Sequence, residues 1–575
     1  MSAPRQSANE DYSMIRTTNQ WLWLAVAAAT ANPAFAQTRP PASGNPLDAL
    51  PQIQTPSRAP SVSVHIQSNA EQLQQLLGTH LTPSKVQIDG VKTIAFPEVA
   101  RHFSPLVGKD VTIGQLVAAA DEVTRLYQAR GYALSFAFIP AQAFAGGVVH
   151  VTVVEGYVSS IKIKGNPGGT ERKIREIADH IRNERPLKRA TFERYVNALG
   201  LLPGVKIAAT VQPPTTTDGA TALDLSVERK PFNVATGIDF HHPGVRGLVT
   251  VTENGLASLG ENLSVSTLVP KGRDNQTYFA ANGALPIGSE GLVAKLNASH
   301  YHGNPVDNPG LPSYVKRTVV NDKLGLAAAY PLYLSNARSL LGTLSAYASH
   351  DENSYQNTQT GATISLRSQV RVVQMQLDYA DTRAGQTRRA SLNVAKAFNL
   401  LGASKAGETN IPGVVETNPA SLTFIRTGAS FSQTNDWPFK IGTAIALTGQ
   451  YSADSLPTSE QIAFGAQRFA LGYEPGEASG DSGFGASFEV NRAIPVASHY
   501  LQTFTPYAAV DMARVYLHTG TTPPSKLASV ALGFRVTDNK HYSLDLSIAK
   551  AVGDAPIESP SRSPRLNATF SYQLY

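Results

Sequence analysis

Cysteine is missing from the 575-residue chain, and charged residues make up only 16% of it. Without cysteine the protein has no disulfide framework, no catalytic thiolate and no thiolate metal site. The net charge of +6 is spread along the chain without a block of lysine or arginine, which argues against nucleic acid as a partner. Beyond the N-terminal segment no uncharged apolar stretch of 18 residues occurs. The mature chain therefore lacks a transmembrane helix and could enter a membrane only as a closed β-barrel.

The N-terminus carries the parts of a secretory signal peptide. A basic residue precedes the apolar run at residues 21–29, and Ala34-Phe35-Ala36 forms a small-x-small cleavage signal. The apolar run is too short for a membrane anchor, which is the alternative. We therefore predict that residues 1–36 are a signal peptide, with Met1 or Met14 as the true start.

Residues 37–83 are rich in proline, serine and glutamine, a composition typical of a linker. Within them, residues 70–77 are the one short helical candidate. The next segment, residues 84–156, has the pattern of an α/β unit. Thr112 is a good N-cap for a helix with an apolar stripe, and Gly131 supplies its C-terminal stop. The predicted elements are a strand near residues 86–91, helices at 97–106 and 113–130, and strands at 134–139 and 148–155.

The same β-α-α-β-β order returns in residues 157–229, so the chain contains an internal repeat. Thr170 is the predicted N-cap of the first helix of this second unit. The predicted elements are a strand at 158–164, helices at 171–181 and 191–200, and strands at 206–212 and 222–228.

From residue 230 to residue 575 the helical periodicity gives way to long period-2 alternation. In residues 542–549, for example, Tyr542, Leu544, Leu546 and Ile548 alternate with small or polar residues. This pattern indicates a transmembrane β-barrel with lipid outside and a wet lumen. The alternative is a soluble all-β sandwich, but the inward faces are too polar for its dry core. The final strand runs to the end of the chain, with apolar residues from Leu566 to Leu574 on one face.

Several short motifs resemble those of POTRA domains, the periplasmic modules that precede barrels in one superfamily of outer-membrane proteins. In the first unit the matching residues are Tyr127, Gly131, Tyr132, Pro140, Gln142, Glu155 and Gly156. In the second unit, Leu202-Pro203-Gly204-Val205 is similar to the second POTRA domain of two-partner secretion transporters, the haemolysin/haemagglutinin secretion-activation protein family. The resemblance implies two POTRA domains followed by a barrel of sixteen strands. Residues 230–575 would then allow roughly 22 residues per strand and connection, which suits strands of about 10 residues.

A further stretch, residues 464–483, which includes Gly480 and Gly483, resembles the sixth extracellular loop of that family. In the family this loop folds into the lumen. The family's loop tip carries an arginine that meets an aspartate on the barrel wall, whereas this chain has Leu471 before Gly472 and Tyr473. Strand alternation points Asp511 inward at the matching wall position. Arg468 is the candidate that replaces the missing arginine.

The resemblance implies a transporter that binds an unfolded exoprotein through its POTRA domains and passes it through the barrel to the cell surface. The implied partners are a large secreted exoprotein, outer-membrane lipid and the barrel-assembly machinery that inserts the protein. The alternatives are a barrel-assembly insertase, a passive porin and a surface enzyme. Gly480-Asp481-Ser482-Gly483 spells a serine-protease motif, but the loop resemblance explains these residues better. We expect no catalysis, metal or cofactor, and an outer-membrane location with periplasmic POTRA domains. The sequence leaves open whether residues 70–77 fill the lumen, as an N-terminal helix does in relatives.

Overall fold

A computed structural model describes residues 77–574, with gaps at residues 241–244, 271–274, 305–311, 467–468, 497, 499, 519–523 and 558. The predicted signal peptide, residues 70–76 of the helical candidate at 70–77, and Arg468 lie outside the described residues. None of the helices in the described ranges combines the length and the apolar composition that a membrane span needs.

The first α/β unit forms a three-stranded sheet. Its central strand, β5 (Val148–Val154), has a parallel neighbour, β2 (Lys85–Asp89), and an antiparallel neighbour, β4 (Phe136–Phe138). The buried side chains of Leu116, Val123 and Tyr127 attach the long helix α2 to this sheet. A two-residue strand before the sheet pairs with β3 and was not predicted. The elements are β1 His80–Leu81, β2 Lys85–Asp89, α1 Phe96–Ala100, β3 Val111–Thr112, α2 Ile113–Ala129, β4 Phe136–Phe138 and β5 Val148–Val154.

The ends of α2 follow the prediction, and those of α1 do not. Thr112 and Gln115 form a capping box at the start of α2, and Gly131 has a φ of 91° after its end. The predicted helix from Pro97 to residue 106 stops at Ala100 and is followed by a separate 3₁₀ turn, Ser104–Leu106. Pro105 lacks the N–H donor that a continuous α-helix to residue 106 would need, and it lies at the start of the 3₁₀ turn, a position that proline tolerates.

The second unit repeats the topology of the first, with the sheet order β6-β8-β7 and one parallel and one antiparallel neighbour for the central strand. The predicted repeat is thereby confirmed. Thr170 precedes α3, but its side chain makes no capping hydrogen bond, because its backbone lies in the helical region at the end of a 3₁₀ turn. The elements are β6 Tyr157–Gly165, α3 Glu171–Asn183, α4 Arg189–Gly200, β7 Val205–Val211 and β8 Ala220–Arg229.

The remaining strands close into an antiparallel barrel, because the last strand, β28, pairs with the first, β9. Segments β17 and β18 both pair with β16 and together form one strand, and β23 and β24 both pair with β25 and form another. Counted in this way, the described residues form sixteen barrel strands, as predicted. The barrel segments are β9 Phe232–Asp239, β10 Arg246–Asn254, β11 Asn262–Val269, β12 Thr277–Ile287, β13 Leu292–Gly303, β14 Val315–Leu334, β15 Arg338–Asn357, β16 Thr363–Arg383, β17 Gln386–Ala397, β18 Ser404–Thr409, β19 Ile425–Trp437, β20 Ile441–Ser452, β23 Ser482–Arg492, β24 Ile494–Pro495, β25 Thr503–Tyr516, β26 Lys526–Thr537, β27 Tyr542–Ala551 and β28 Arg565–Leu574. Strands β21 Ile462–Phe464 and β22 Ala478–Gly480 pair with each other in a separate two-stranded sheet.

Three neighbouring strands are about twice the predicted length, since β14, β15 and β16 have 20, 20 and 21 residues. The outward face of β15 shows where the additional residues of these strands lie. It is apolar from Leu344 to Ala348 and then carries His350 and Glu352 towards the end of the strand. Because charged residues are unfavourable against lipid, the second half of these strands extends beyond the apolar band on the side away from the two α/β units.

Candidate functional site

The connection between β20 and β23 is the sixth one on the side of the barrel away from the α/β units, and it folds into the lumen. Its strands β21 and β22 form a small hairpin. The buried side chains of Phe464 and Tyr473 pack against Ala513, Val515 and Leu527, which face the inside of β25 and β26. We call residues 453–481 the lumen loop.

The tip of the lumen loop contacts the predicted wall aspartate. The main-chain N–H of Leu471 donates a hydrogen bond to Asp511, with 3.2 Å between nitrogen and Oδ2. Asp511 is buried and also accepts a hydrogen bond from the hydroxyl of Ser529. On the other side, the side-chain amide of Asn567 donates to the carbonyl of Leu471 at 2.9 Å. Thus Asp511 has partners from the loop main chain and the neighbouring strand.

The side chain of Leu471 does not face Asp511 as an arginine would. It packs against an apolar cluster on the wall, formed by Tyr507, Ala509, Ala531 and Ala549. The neighbouring Gly472 lies flat on β27, where a Cβ atom would come within 2.6 Å of the main-chain nitrogen of Ala551. Tyr473 then donates its hydroxyl hydrogen bond to the carbonyl of Asp554 at 2.7 Å.

A second attachment holds the other end of the lumen loop and was missed by sequence reasoning. Glu460 is only 2% exposed and accepts hydrogen bonds from Tyr347 on β15, with both oxygen distances at 2.9 Å. Its carboxylate also lies 3.2 Å from the guanidinium of Arg426 on β19. The loop therefore runs from the β15–β19 wall to the β25–β28 wall. The three residues lie far apart in the sequence, so no local motif could have indicated the contact.

The two predicted loop glycines lie where the lumen loop returns to the barrel wall. A Cβ atom on Gly480 would come within 2.6 Å of the carbonyl of Tyr516, and one on Gly483 within 2.7 Å of that of Arg514. Between them, Asp481 accepts main-chain hydrogen bonds from Leu456 at 2.7 Å and His518 at 2.9 Å. Glycine is needed here for close backbone approach.

The Gly-Asp-Ser-Gly stretch has no catalytic geometry among the described residues. The hydroxyl of Ser482 exchanges hydrogen bonds with the main chain of Ser452. The ring of His518 lies 2.8 Å from the carbonyl of Ser452 rather than beside the Ser482 hydroxyl. A serine nucleophile requires its base within hydrogen-bond reach, so these residues serve the attachment of the loop.

A charged cluster lines the lumen below the loop tip. Arg535 on β26 donates two hydrogen bonds to Glu489, at 2.8 and 2.6 Å, and a third to Asp545 at 2.9 Å. Its guanidinium lies 4.2 Å from the ring centre of Tyr507, whose hydroxyl donates to Asp545 at 2.7 Å. The cluster fixes Tyr507, and Tyr507 is part of the surface on which Leu471 packs.

In the first α/β unit, the predicted motif residues surround one carboxylate. Glu155 accepts hydrogen bonds from the main chain of Lys92 at 2.9 Å and Thr93 at 2.8 Å, and from the hydroxyl of Tyr127 at 2.8 Å. Burial alone would raise the pKa of Glu155, but these hydrogen bonds outweigh it and lower the pKa below its ordinary value. Glu155 therefore joins α2 to the loop after β2.

The other motif residues of this unit have structural contacts of their own. Tyr132 packs edge-on against Tyr127, with 6.1 Å between ring centres. Gln142 bridges to β5, because its amide nitrogen donates to the carbonyl of His150 and its oxygen accepts from the His150 N–H, both at 2.8 Å, while a weaker contact joins it to Pro140. Gly156 has no room for a side chain, since a Cβ atom would lie 2.4 Å from the carbonyl of Leu134.

In the second unit, Pro203 and Gly204 lie at the junction with the barrel. Gly204 has a φ of 64°, and a Cβ atom there would come within 2.2 Å of the side chain of Asn254, at the end of β10. The carbonyl of Gly204 accepts a hydrogen bond from Lys230 at 2.7 Å. This turn therefore sets the close contact between the second unit and the first barrel turn.

Helix α4 contacts the turn between β12 and β13 and the end of β14. The guanidinium of Arg194 lies 3.4 Å from Glu290 and donates to the hydroxyl of Tyr330 at 3.1 Å. The hydroxyl of Tyr195 donates to Glu290 at 2.9 Å, and the ring of His180 stacks on Tyr195 with 4.3 Å between centres. Burial and the bond to Glu290 raise the pKa of Tyr195. Polar contacts thus hold the second unit against one side of the barrel mouth.

Comparison with known proteins gives the same domain order. Residues 81–156 match the family model "POTRA domain, ShlB-type", and residues 250–536 match "Haemolysin secretion/activation protein ShlB/FhaC/HecB". The heme/hemopexin transporter protein HuxB of Haemophilus influenzae is 21% identical over 83% of this chain and 85% of its own. The outer membrane transporter CdiB of Escherichia coli O6:K15:H31 is 28% identical over 40% of each chain.

Solved structures show the same fold. The structure of CdiB from Escherichia coli has a TM-score of 0.65 at 19% identity, over 90% of this chain and 94% of that one. The structure of CdiB from Acinetobacter baumannii has a TM-score of 0.57 at 14% identity, with the same coverage. At these identities the likeness supports the architecture alone.

Proposed function

Because the chain belongs to the haemolysin secretion/activation family of outer-membrane β-barrel transporters, we propose that it binds one unfolded exoprotein through its POTRA units and passes it through the barrel to the cell surface. Members of this family are transporters rather than enzymes. The name of HuxB refers to heme/hemopexin transport. The exoprotein of this chain has to be identified from the proteins that its own cell secretes.

One structural feature carries this proposal: the sheets before the barrel have uncovered edge strands. In the first sheet β2 and β4 are edges, and in the second sheet β6 and β7 are edges. On β6, the side chains of Ser159, Ser160 and Lys162 are polar and exposed. An extended segment of exoprotein can add to such an edge through main-chain hydrogen bonds.

The helix faces of the second unit offer weaker support for a basic docking surface. Arg172 lies 3.7 Å from Glu176 within α3, and Arg189 pairs with Glu193 at 2.7 Å within α4. Such i,i+4 pairs are typical of a solvated helix face. We therefore place exoprotein recognition on the sheet edges rather than on these arginines.

Passage through the barrel requires the lumen loop to move, because the loop joins opposite walls through Glu460 and Leu471. No nucleotide is available in the periplasm, so we propose that folding of the exoprotein outside the cell makes passage one-way. Purified protein in liposomes should then translocate its exoprotein without ATP. A strict requirement for nucleotide in that assay would disprove this part of the proposal.

The alternative function is insertion of other barrels into the outer membrane, as performed by insertases of the same superfamily. Deletion of the gene distinguishes the two. We expect one large exoprotein to vanish from the cell surface or medium while porin levels in the outer membrane stay constant. A joint fall of several porins would instead identify an insertase, and a single lost exoprotein would name the partner.

A further inference from the structure

A short excursion interrupts the ninth barrel strand on the outside of the barrel. Strands β17 and β18 pair with successive parts of β16, and residues 398–403 leave the sheet between them. The N–H of Phe398 donates to the carbonyl of Arg371 at 2.8 Å, and the guanidinium of Arg371 donates to the carbonyl of Leu401 at 3.1 Å. Arg371 shares the outward face of β16 with Val373 and Met375, so the excursion lies on the outer surface.

The tip of the excursion presents a leucine to the outside in a strained conformation. The N–H of Ala403 donates to the carbonyl of Leu400 at 3.0 Å, which closes a tight turn. Its central residues, Leu401 and Gly402, have φ angles of 51° and 78°. Turns of this kind favour asparagine and glycine, because other side chains are strained at positive φ. Leu401 occupies such a position and is 81% exposed, so packing within the described structure does not account for it.

The excursion lies at the edge of the apolar band of the barrel. Below it, Val373 and Met375 on β16 and Leu392 and Val394 on β17 are exposed on the outward face. Above it, the outward face of β16 continues with polar residues towards the end that is farthest from the POTRA units. This height corresponds to the headgroup level of the outer leaflet, where apolar side chains meet acyl chains and cations meet phosphates.

Two cations flank the excursion. Lys396 lies opposite Val373 in the strand register, one row from Arg371, and donates to the carbonyl of Thr423 at 2.7 Å. Arg371 donates to main-chain carbonyls as well. In the part of the chain that the structure describes, no carboxylate forms an ion pair with either cation. Positive charge is therefore concentrated beside an exposed apolar tip.

We propose that residues 398–403, together with Arg371 and Lys396, form a binding site for a phosphorylated, acylated glycolipid of the outer leaflet. The two cations bind a headgroup phosphate, and the side chains of Leu400 and Leu401 enter the acyl region. The lipid explains both the strained leucine and the uncompensated charges. This site is independent of the exoprotein pathway, because it lies on the outer wall rather than in the lumen.

Native mass spectrometry of the full chain, delipidated in detergent and titrated with purified lipid A, tests the site. The double variant Arg371→Gln/Lys396→Gln should bind lipid A roughly 25-fold more weakly, since each cation near an anionic lipid surface contributes about a factor of five. Arg514→Gln/Lys526→Gln is the matched control. These two cations lie opposite each other on the outward faces of β25 and β26 without an excursion. The control should keep wild-type binding.

Further probes separate the lipid from its headgroup. Leu401→Ser should weaken binding of intact lipid A but not of the deacylated phosphorylated headgroup, and millimolar inorganic phosphate should not displace lipid A. On SDS gels a folded barrel migrates faster in the unheated sample than in the heated one. This difference verifies that each variant is folded. Wild-type lipid A binding by the folded Arg371→Gln/Lys396→Gln variant, an equal loss in the Arg514→Gln/Lys526→Gln control, or displacement by phosphate would each overturn the proposal.

Discussion

The N–H of Leu471 at the tip of the lumen loop donates a hydrogen bond to Asp511 on the barrel wall, across 3.2 Å. The side chain of the same leucine lies on the apolar cluster beside Tyr507. The loop tip is therefore held by a main-chain hydrogen bond and by packing, and Asp511 is satisfied without an arginine at position 471. Only proline would remove the main-chain donor, and it would also restrict the backbone of the loop tip, so Asp511 is the residue on which to test the contact.

Asp511→Ala should loosen the loop tip, because it removes the acceptor for Leu471 and leaves a buried N–H unsatisfied. Such a loss costs about 1–3 kcal/mol. We expect larger and more frequent channel openings in planar lipid bilayers, together with lower secretion of the exoprotein. Asp511→Asn keeps an acceptor oxygen and should stay near wild-type conductance. Conductance of Asp511→Ala equal to that of the wild type would show that this contact does not hold the loop.

Removing the carboxylate at the other end of the loop should be more damaging. Glu460→Ala leaves Arg426 in a largely buried position without its partner, and breaking a buried pair costs about 3–5 kcal/mol. We expect the loop to become accessible to protease added to intact cells. The double variant Glu460→Gln/Arg426→Gln removes both charges and should recover part of the protection. If the single and double variants are cleaved equally, the ion pair has no role in holding the loop.

The fold was predictable because its signals are local and repeated. The stripe of apolar residues in α2, its cap at Thr112 and its stop at Gly131 lie within one stretch of sequence, and the structure confirms them. Period-2 alternation gave the barrel in the same way. The early end of α1 at Ala100 was not predicted.

The contacts of the lumen loop could be predicted only in part. The inward position of Asp511 followed from alternation along a single strand. The pairing of Glu460 with Tyr347 and Arg426, and of Arg535 with Glu489 and Asp545, depends on which strands become neighbours and how far the loop reaches. The residues around each of these positions in the sequence do not indicate such contacts. The role of Arg468 stays a prediction, because this residue lies outside the described part of the chain.

The first α/β unit should lose stability in acid through Glu155. Its pKa is lowered from an ordinary value of 4.5 in the folded protein, so the unfolded state binds the proton more readily. The stabilisation is therefore complete above about pH 4.5 and is lost as the pH falls below it. Hydrogen exchange of residues 84–156 in the full chain should speed up over this range. Glu155→Gln should exchange faster at pH 7 and respond less to acid, and an unchanged pH profile would contradict this assignment.

The polar contacts of Arg194 should fix the orientation of the second unit against the barrel. Arg194→Ala removes the contacts with Glu290 and Tyr330, and the distances between spin labels on α4 and on the outward face of β15 should broaden in pulsed spin-resonance measurements. Arg175→Ala is the matched control, because Arg175 pairs only with Glu171 on its own helix in the contacts described. Since the Arg194 contacts are partly exposed, high salt should broaden the wild-type distances in the same direction. Equal, narrow distributions for both variants would mean that the other contacts between the second unit and the barrel, among them the Gly204 turn, set the orientation.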